Sequence, residues 1–246
     1  MKDLLVITGG SAGIGLATAV KFFGAGYDVV SISRRTCPSP DVISIQADLA
    51  AAGFIDLVRR RLSSTSHLQR RRIVLVHNAA QSWHDSAGDV TAESLRSMME
   101  TSVIAPAALN QLLLPFMSQG SAIIYIGSTL STRGAAGSFS YVAAKHAVVG
   151  MMRATCQDLF GKGIHSVCVC PGATDTEMLR SLFDPGSLAK MGEMSSVQRL
   201  IEPEEIAAVI YQAAGTPVLN GALVEANYGS ASVIAVVTDK ATPIVP

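Results

Sequence analysis

Charge of either sign is scarce and evenly matched: 19 Lys and Arg face 19 Asp and Glu, and charged residues make up 15% of the 246. A chain with no basic excess has no electrostatic footprint for a polyanion, so nucleic acid is not expected as a partner. Long apolar runs are missing as well. None approaches the roughly 18 to 20 residues that cross a bilayer, and the opening MKDLLVITGG lacks a secretory hydrophobic region. The expectation is a cytoplasmic protein without a membrane partner. Cysteine is sparse, with residues only at 37, 156, 168 and 170, too few for a disulfide framework and expected to stay reduced. Cys168 and Cys170 are two apart on a strand-like run and so share a face. No second Cys or His pair at ligand spacing accompanies them, and no metal is expected.

What is present is apolar: 49% of residues are hydrophobic, which favours a large buried core. Short apolar runs at residues 4–7, 28–33, 42–45, 73–76, 122–126, 164–170 and 222–226 read as strands. Helical patterns lie between them: one after Gly15, an amphipathic one to about residue 62, one from 91 to about 117, one carrying Tyr141 to about 160, and one from Pro203 to about 214. Thr91 is placed to cap the long pattern and Pro106 to kink or restart it. With neither linker nor repeat, the alternation predicts a single α/β domain over residues 1–246, a doubly wound parallel sheet of Rossmann-like type. The tail from Ser230 contains an apolar run at 233–237 that a partner chain is expected to cover.

Several stretches carry chemistry. TGGSAGIG at 8–15 stands between a strand and a helix, where glycines let the backbone approach a pyrophosphate and the helix N-terminus offers free N–H groups. A tight strand-to-helix turn would also need glycine. The second strand ends in Arg34 and Arg35 with no acid beside them, which suits a ribose 2′-phosphate and favours NADP(H) over NAD(H). Two solvated loop charges would read the same way. Asp48 is placed either for an adenine amino group or as a helix cap. The arginines at 59–61 and 70–72 read as solvated clusters at a helix end and a loop. Tyr141 and Lys145, four apart, share a helix face about 6 Å apart along the axis. An ammonium beside a phenol favours phenolate, making Tyr141 a candidate general acid/base, with Ser128 on the preceding loop. Residues 177–200, with Met178, Met191 and Met194 among Leu and Phe, read as a substrate flap or as a surface helical hairpin.

In this order, TGGSAGIG, Asp48, HNAA at 77–80, Ser128, YVAAK at 141–145 and PGATDT at 171–176 resemble the short-chain dehydrogenase/reductase family over residues 3–229. The resemblance implies hydride transfer between a nicotinamide cofactor and a small carbonyl or alcohol substrate. It makes Tyr141 the proton donor or acceptor, Ser128 the hydrogen-bond partner of the substrate oxygen, and Lys145 the holder of the nicotinamide ribose. Gly9, Ser11, Gly13 and Ile14 would line phosphates and ribose, Asn78 the region behind the cofactor, and Thr176 the carboxamide side. A homodimer or homotetramer is implied too. Three positions depart from the family: Ser102 stands where an asparagine usually helps hold a water linking the lysine to solvent, Ala80 where glycine is usual, and Asn227-Tyr228-Gly229 where Asp-Gly-Gly is usual. A regulatory protein that binds the nucleotide without turnover is the second reading.

Overall fold

The computed structural model describes residues 2–64 and 69–230; the expected cover over residues 233–237 lies outside them. Seven strands, β1 (Leu4–Thr8), β2 (Asp28–Ser33), β3 (Ile43–Gln46), β4 (Ile73–His77), β5 (Ala122–Ile126), β6 (His165–Pro171) and β7 (Leu223–Ala226), form one sheet in the order β3-β2-β1-β4-β5-β6-β7. Every pairing is parallel. The strand runs read from the sequence fall within a residue or so of these bounds. β1, β4, β5 and β6 are buried along their whole length, as unbroken apolar runs between two helical layers must be.

One layer holds α1 (Gly13–Gly24) and α8 (Pro203–Ala214), where Phe22 meets Tyr27 and Tyr211 edge-on at 5.0 and 5.1 Å. The other holds α2 (Phe54–Ser64), α4 (Ala105–Leu113) and α5 (Phe139–Asp158), packed on Leu75, Ile123 and Tyr125. α3 (Ala92–Met99) leads into α4, and its N-cap is Thr91, whose hydroxyl accepts from Ser94 N at 3.1 Å. The long helix is interrupted just before Pro106 rather than at it. A π-turn, Glu100–Ile104, widens the backbone there, with Ala105 N donating to the Glu100 carbonyl. Pro106 has no N–H to offer the Ser102 carbonyl and its ring crowds that oxygen, so the turn carrying Ser102 is the one that opens.

One expectation is corrected at the opposite end of the sheet. Arg71 and Arg72 are not solvated: Arg71 is 8% exposed and its Nη1 lies 2.8 Å from Asp28 Oδ2 and 3.0 Å from the Lys2 carbonyl. Arg72 donates to Asp3 Oδ2 at 2.9 Å, the Gly120 carbonyl at 2.8 Å, the Ala214 carbonyl at 3.0 Å and the Tyr27 hydroxyl. They sit immediately before β4, where the amino ends of β1, β2 and β5 and the end of α8 converge. The sequence shows a run of three arginines but not the carboxylates and carbonyls that meet it. Arg59, Arg60 and Arg61 of α2 are exposed as expected.

Candidate active site

All sequence-derived site residues lie at or beyond the carboxyl ends of the strands, the edge at which a doubly wound sheet binds ligands. The strand order reverses between β1 and β4, and the glycine turn stands there. Gly9, Ser11, Gly13 and Ile14 lie on it. Gly13 has φ +50°, a conformation a side chain resists. A Cβ on Gly15 would lie 2.1 Å from the Gly9 carbonyl oxygen, so strand and helix approach more closely than any other residue allows. Asn78 fastens this turn from behind, its Nδ2 donating to the Thr8 and Gly9 carbonyls at 3.0 and 3.2 Å. Thr8 Oγ1 accepts from the backbone N–H groups of Asn78 and Ala79, both at 3.0 Å. No side chain caps α1 and no acid sits in its first turn, which leaves an N-terminus fitted to an anion. A dinucleotide fits this glycine cradle on those grounds.

Further along the edge, Arg34 is exposed at the end of β2 and its carbonyl accepts from Gln46 Nε2 at 2.9 Å. Arg35 reaches Glu177 Oε2 at 2.8 Å across solvent. Asp48 is exposed beyond β3 and its Oδ1 accepts from Ala50 N at 3.0 Å, a local turn. Thr176 caps α6 (Glu177–Leu182) by accepting from Leu179 N at 3.2 Å, and its Cγ2 lies 2.9 Å from where a Gly13 Cβ would stand.

Beyond β5, Lys145 meets the Ile126 carbonyl two residues before Ser128, the ring of Tyr141 and the cavity that Ser102 also lines. Ser128 opens a short 3-10 turn, Thr129–Ser131, in a reciprocal cap: its Oγ accepts from Leu130 N at 3.1 Å while Ser131 Oγ accepts from Ser128 N at 3.0 Å. The Ser128 hydroxyl keeps its proton to donate. Cys168 and Cys170 share a face as expected, their Sγ atoms 3.8 Å apart. Bonding from Cys168, together with the Ser128 backbone N–H and Ser131, lowers the Cys170 thiol pKa, while the same contact and burial raise that of Cys168. Lys145 is 4% exposed, donates to the Ile126 carbonyl at 2.8 Å, and holds Nζ 5.5 Å from the centroid of the Tyr141 ring. Ser102, on the π-turn, is 5% exposed and lines a small cavity with Lys145.

Sequence reasoning missed two supports of this cluster, Asp85 and Asn110. Asp85, 8% exposed, fastens the start of α5: Oδ1 accepts from Ser140 N at 3.0 Å, Oδ2 from the Ser140 hydroxyl, and its carbonyl from Phe139 N at 3.2 Å. Burial pushes its carboxyl up, but the bonds from Ser140, Trp83 and Phe139 outweigh that and hold it below the ordinary range. Only its place 56 residues before Tyr141 is visible in the chain, and that carries no signal. Asn110 is the other: its Oδ1 lies 2.9 Å from Nε2 of His77, the first residue of the HNAA stretch singled out in the sequence.

The segment from 177 to 200 holds α6 and α7 (Pro185–Glu193). Its ends are tied together: Asp175 N donates to the Ile201 carbonyl at 2.8 Å and Ile201 N to the Ala173 carbonyl at 3.0 Å. His84 meets it, with Nε2 3.1 Å from the Leu182 carbonyl and its ring edge-on to Phe183 at 5.5 Å. A separate groove of about 490 Å³ follows the outer side of the α5 start past Phe139, Val142 and His146, and Ser128, Tyr141 and Lys145 are not among its walls.

Comparison with known proteins agrees with this architecture. A short chain dehydrogenase family model matches residues 3–186. The 1-deoxy-11-beta-hydroxypentalenate dehydrogenase of Streptomyces exfoliatus is 28% identical over 228 residues, 86% of this chain and 79% of its own. A short chain dehydrogenase from Burkholderia cenocepacia in complex with NADP superposes with TM-score 0.80 at 26% identity, covering 92% of this chain and 96% of that one. The 3-ketoacyl-(acyl-carrier-protein) reductase of Brucella melitensis, complexed with NADH, gives TM-score 0.80 at 21% identity over 93% and 98% of the two chains. With the family model spanning most of its length and its seven-stranded sheet in the same arrangement, the chain belongs to the short-chain dehydrogenases, oxidoreductases that bind nicotinamide cofactors and act on small molecules by hydride transfer.

Proposed function

We propose that the protein is an NADP(H)-dependent carbonyl reductase or alcohol dehydrogenase in which Tyr141 is the general acid/base. The observation that carries this is Lys145, a nearly buried ammonium with one protein carbonyl as partner, held against the face of the Tyr141 ring. Burying an ammonium is costly, and a pocket that only bound nucleotide would not need one beside a phenol. The nicotinamide, when bound, supplies or takes up the hydride. During reduction Tyr141 gives its phenolic proton to the substrate oxygen, and Ser128 donates its hydroxyl hydrogen to that oxygen. Lys145 sets positive charge beside the phenol and offers N–H groups to the ribose. Oxidation runs the same transfers in reverse.

Structures of equal fold likeness hold NADP in one case and NADH in another; the arginines Arg34 and Arg35 at the end of β2 favour the phosphorylated cofactor. Gly9, Ser11, Gly13, Ile14, Asp48, Asn78 and Thr176 are assigned to the cofactor by their place along the same edge. Residues 177–200 form the substrate flap, because the tied ends at Asp175 and Ile201 let them move as a unit. Four free cysteines suit a reducing cytoplasm, and association as a homodimer or homotetramer completes the reading. The test is Tyr141→Phe assayed with a panel of ketones, quinones, sugars and acyl thioesters. Carbonyl-dependent NADPH oxidation should disappear while NADPH binding, followed by nucleotide fluorescence, persists; equal turnover in variant and wild type would refute the role.

A further inference from the structure

The two cysteines of β6 lie directly under the turn that carries Ser128. Cys168 is fully buried and Cys170 is 3% exposed, with their Sγ atoms 3.8 Å apart. β5 and β6 stay joined up to this turn, where Gly127 N donates to the Val169 carbonyl at 2.7 Å. A Cβ on Gly127 would lie 2.8 Å from Cys168 Sγ, from Cys170 Sγ and from Ser131 Oγ alike. Three polar side chains therefore crowd one buried point. The bonding among them has a direction. Ser131 Oγ accepts from Ser128 N at 3.0 Å, so its own hydrogen is free for the sulfur of Cys170. That sulfur also takes the Cys168 thiol and the Ser128 N–H. The bond from Cys168 lowers the Cys170 pKa most; burial opposes it, and Ser128 N, Ser131 and the charge of Lys145 lower it further. Packing alone would be served by alanine or valine, but either would leave the Ser131 hydroxyl, 2% exposed, without this acceptor.

We propose that Cys170 is a positioning residue for Ser128: its sulfur is the acceptor that orients the Ser131 hydroxyl and, through it, the turn from which Ser128 meets the substrate oxygen. The Ser128 Oγ itself accepts from Leu130 N at 3.1 Å. That bond lies inside the turn, whereas Cys170 stands on a different strand and refers the turn to the sheet. A thiolate can only accept, which gives the Ser131 hydroxyl one orientation, while a thiol can also donate to Ser131, which gives it two. The turn is therefore held best above the pH at which Cys170 ionises. The other ionisable groups around the pair are bound elsewhere. Lys145 donates to the Ile126 carbonyl, Tyr125, in register with Cys168, bonds Asn110 and Thr155, and Glu225, in register with Cys170, accepts from Asn227 Nδ2 at 3.1 Å.

The effect on turnover rests on the catalytic reading above, so the site has a measurement of its own. Ultraviolet thiolate absorbance of the cofactor-free protein should show one thiol that ionises below the ordinary 9.0 in wild type and is missing in Cys170→Ser. Identical curves for the two proteins below that pH would overturn the arrangement whatever the enzyme does. In turnover, Cys170→Ala is expected to lower kcat about tenfold with NADPH Kd changed less than about twofold. Cys170→Ser returns a smaller acceptor to the position. It should recover most of that loss and abolish the rise in kcat that wild type shows as Cys170 ionises. Wild-type kcat in Cys170→Ala, or a loss with serine as large as with alanine, would refute the positioning role. Should the alanine variant not fold, Cys170→Ser decides alone, since a rise in kcat that persists in it overturns the proposal. If wild type reduces no member of the carbonyl panel, the catalytic reading fails while the absorbance titration still decides the site.

Discussion

At the scale of single residues, the arginine at the end of β2 and the aspartate before α5 show what one side chain is worth in two different surroundings. Arg34 is exposed, and on the reading above its service is to a phosphate. Arg34→Ala should therefore weaken NADPH binding by about tenfold and leave NADH binding within about twofold. A fluorescence titration with each cofactor reads the ratio, and an unchanged ratio would dismiss the 2′-phosphate contact. Asp85 is buried and anchors the helix that carries Tyr141 and Lys145. Removing its carboxylate leaves the Ser140 N–H, the Ser140 hydroxyl and the Trp83 indole N–H without their acceptor. Asp85→Ala is expected to cost about 2 kcal/mol in urea unfolding and to lower kcat more than it raises KM, because the tyrosine moves with the helix start. A loss of stability with kcat untouched would separate the cap from the catalytic geometry. Ser128, Tyr141 and Lys145 stood out in the chain as candidates because they sit close together in sequence around one loop and one helix. Asp85 and Asn110 were not, since what defines them is a contact made across 55 and 33 residues.

At the scale of elements, Tyr228 is informative because it occupies a left-handed conformation, φ 51°, that a tyrosine adopts only when its surroundings compel it. Its hydroxyl donates to Glu205 of α8, whose carboxylate also bridges Arg199 at 2.8 Å. The Arg199 guanidinium lies over the Tyr228 ring at 5.3 Å. Glu205 thereby joins the start of α8, the chain after β7 and Arg199 at the end of the 177–200 segment. Bonds from Arg199 first, then from Tyr228 and the Glu202 backbone, lower its carboxyl pKa from 4.5 to about 2. A carboxyl depressed in the folded state adds stability above its unfolded pKa and loses it as pH falls through the folded one. Glu205→Gln should accordingly lower the urea midpoint at pH 6, and the gap to wild type should narrow between pH 4.5 and about 2. A gap of the same size at pH 3 would show that the charge contributes nothing. Periodicity located all seven strands and the long helices, but not the bounds of α6 and α7, and where Pro106 was expected to kink or restart the long helix the π-turn at Glu100–Ile104 went unread, because hydrophobic spacing does not report which carbonyl loses its donor.

At the scale of the whole molecule, the fold was the most readable level, since strands buried on both faces leave apolar runs that no other arrangement needs. The least readable was the amino end of the sheet, where three arginines in a row look like a solvated patch until the sheet brings Asp3, Asp28 and the end of α8 to them. Arg72 joins four separate parts of the chain there. Its own pKa is pulled down by burial and raised more by Asp3 and Tyr27, so it stays charged. Arg72→Ala is expected to destabilise the protein by about 2 to 3 kcal/mol, with NADPH affinity and KM unaltered in the molecules that remain folded. A change in KM at 25 °C would mean that the two ends of the sheet are coupled.

Seven strands that all run the same way give the protein two edges of opposite character, separated by a strand of about 16 Å. One edge is glycine turns, short helices and a tethered excursion of the chain; the other is closed by Arg71 and Arg72. Substitutions that re-aim the first edge at a different small molecule therefore leave the second in place. The residues that would let this chain drift towards new substrates lie a full strand length from the arginines that close the far edge.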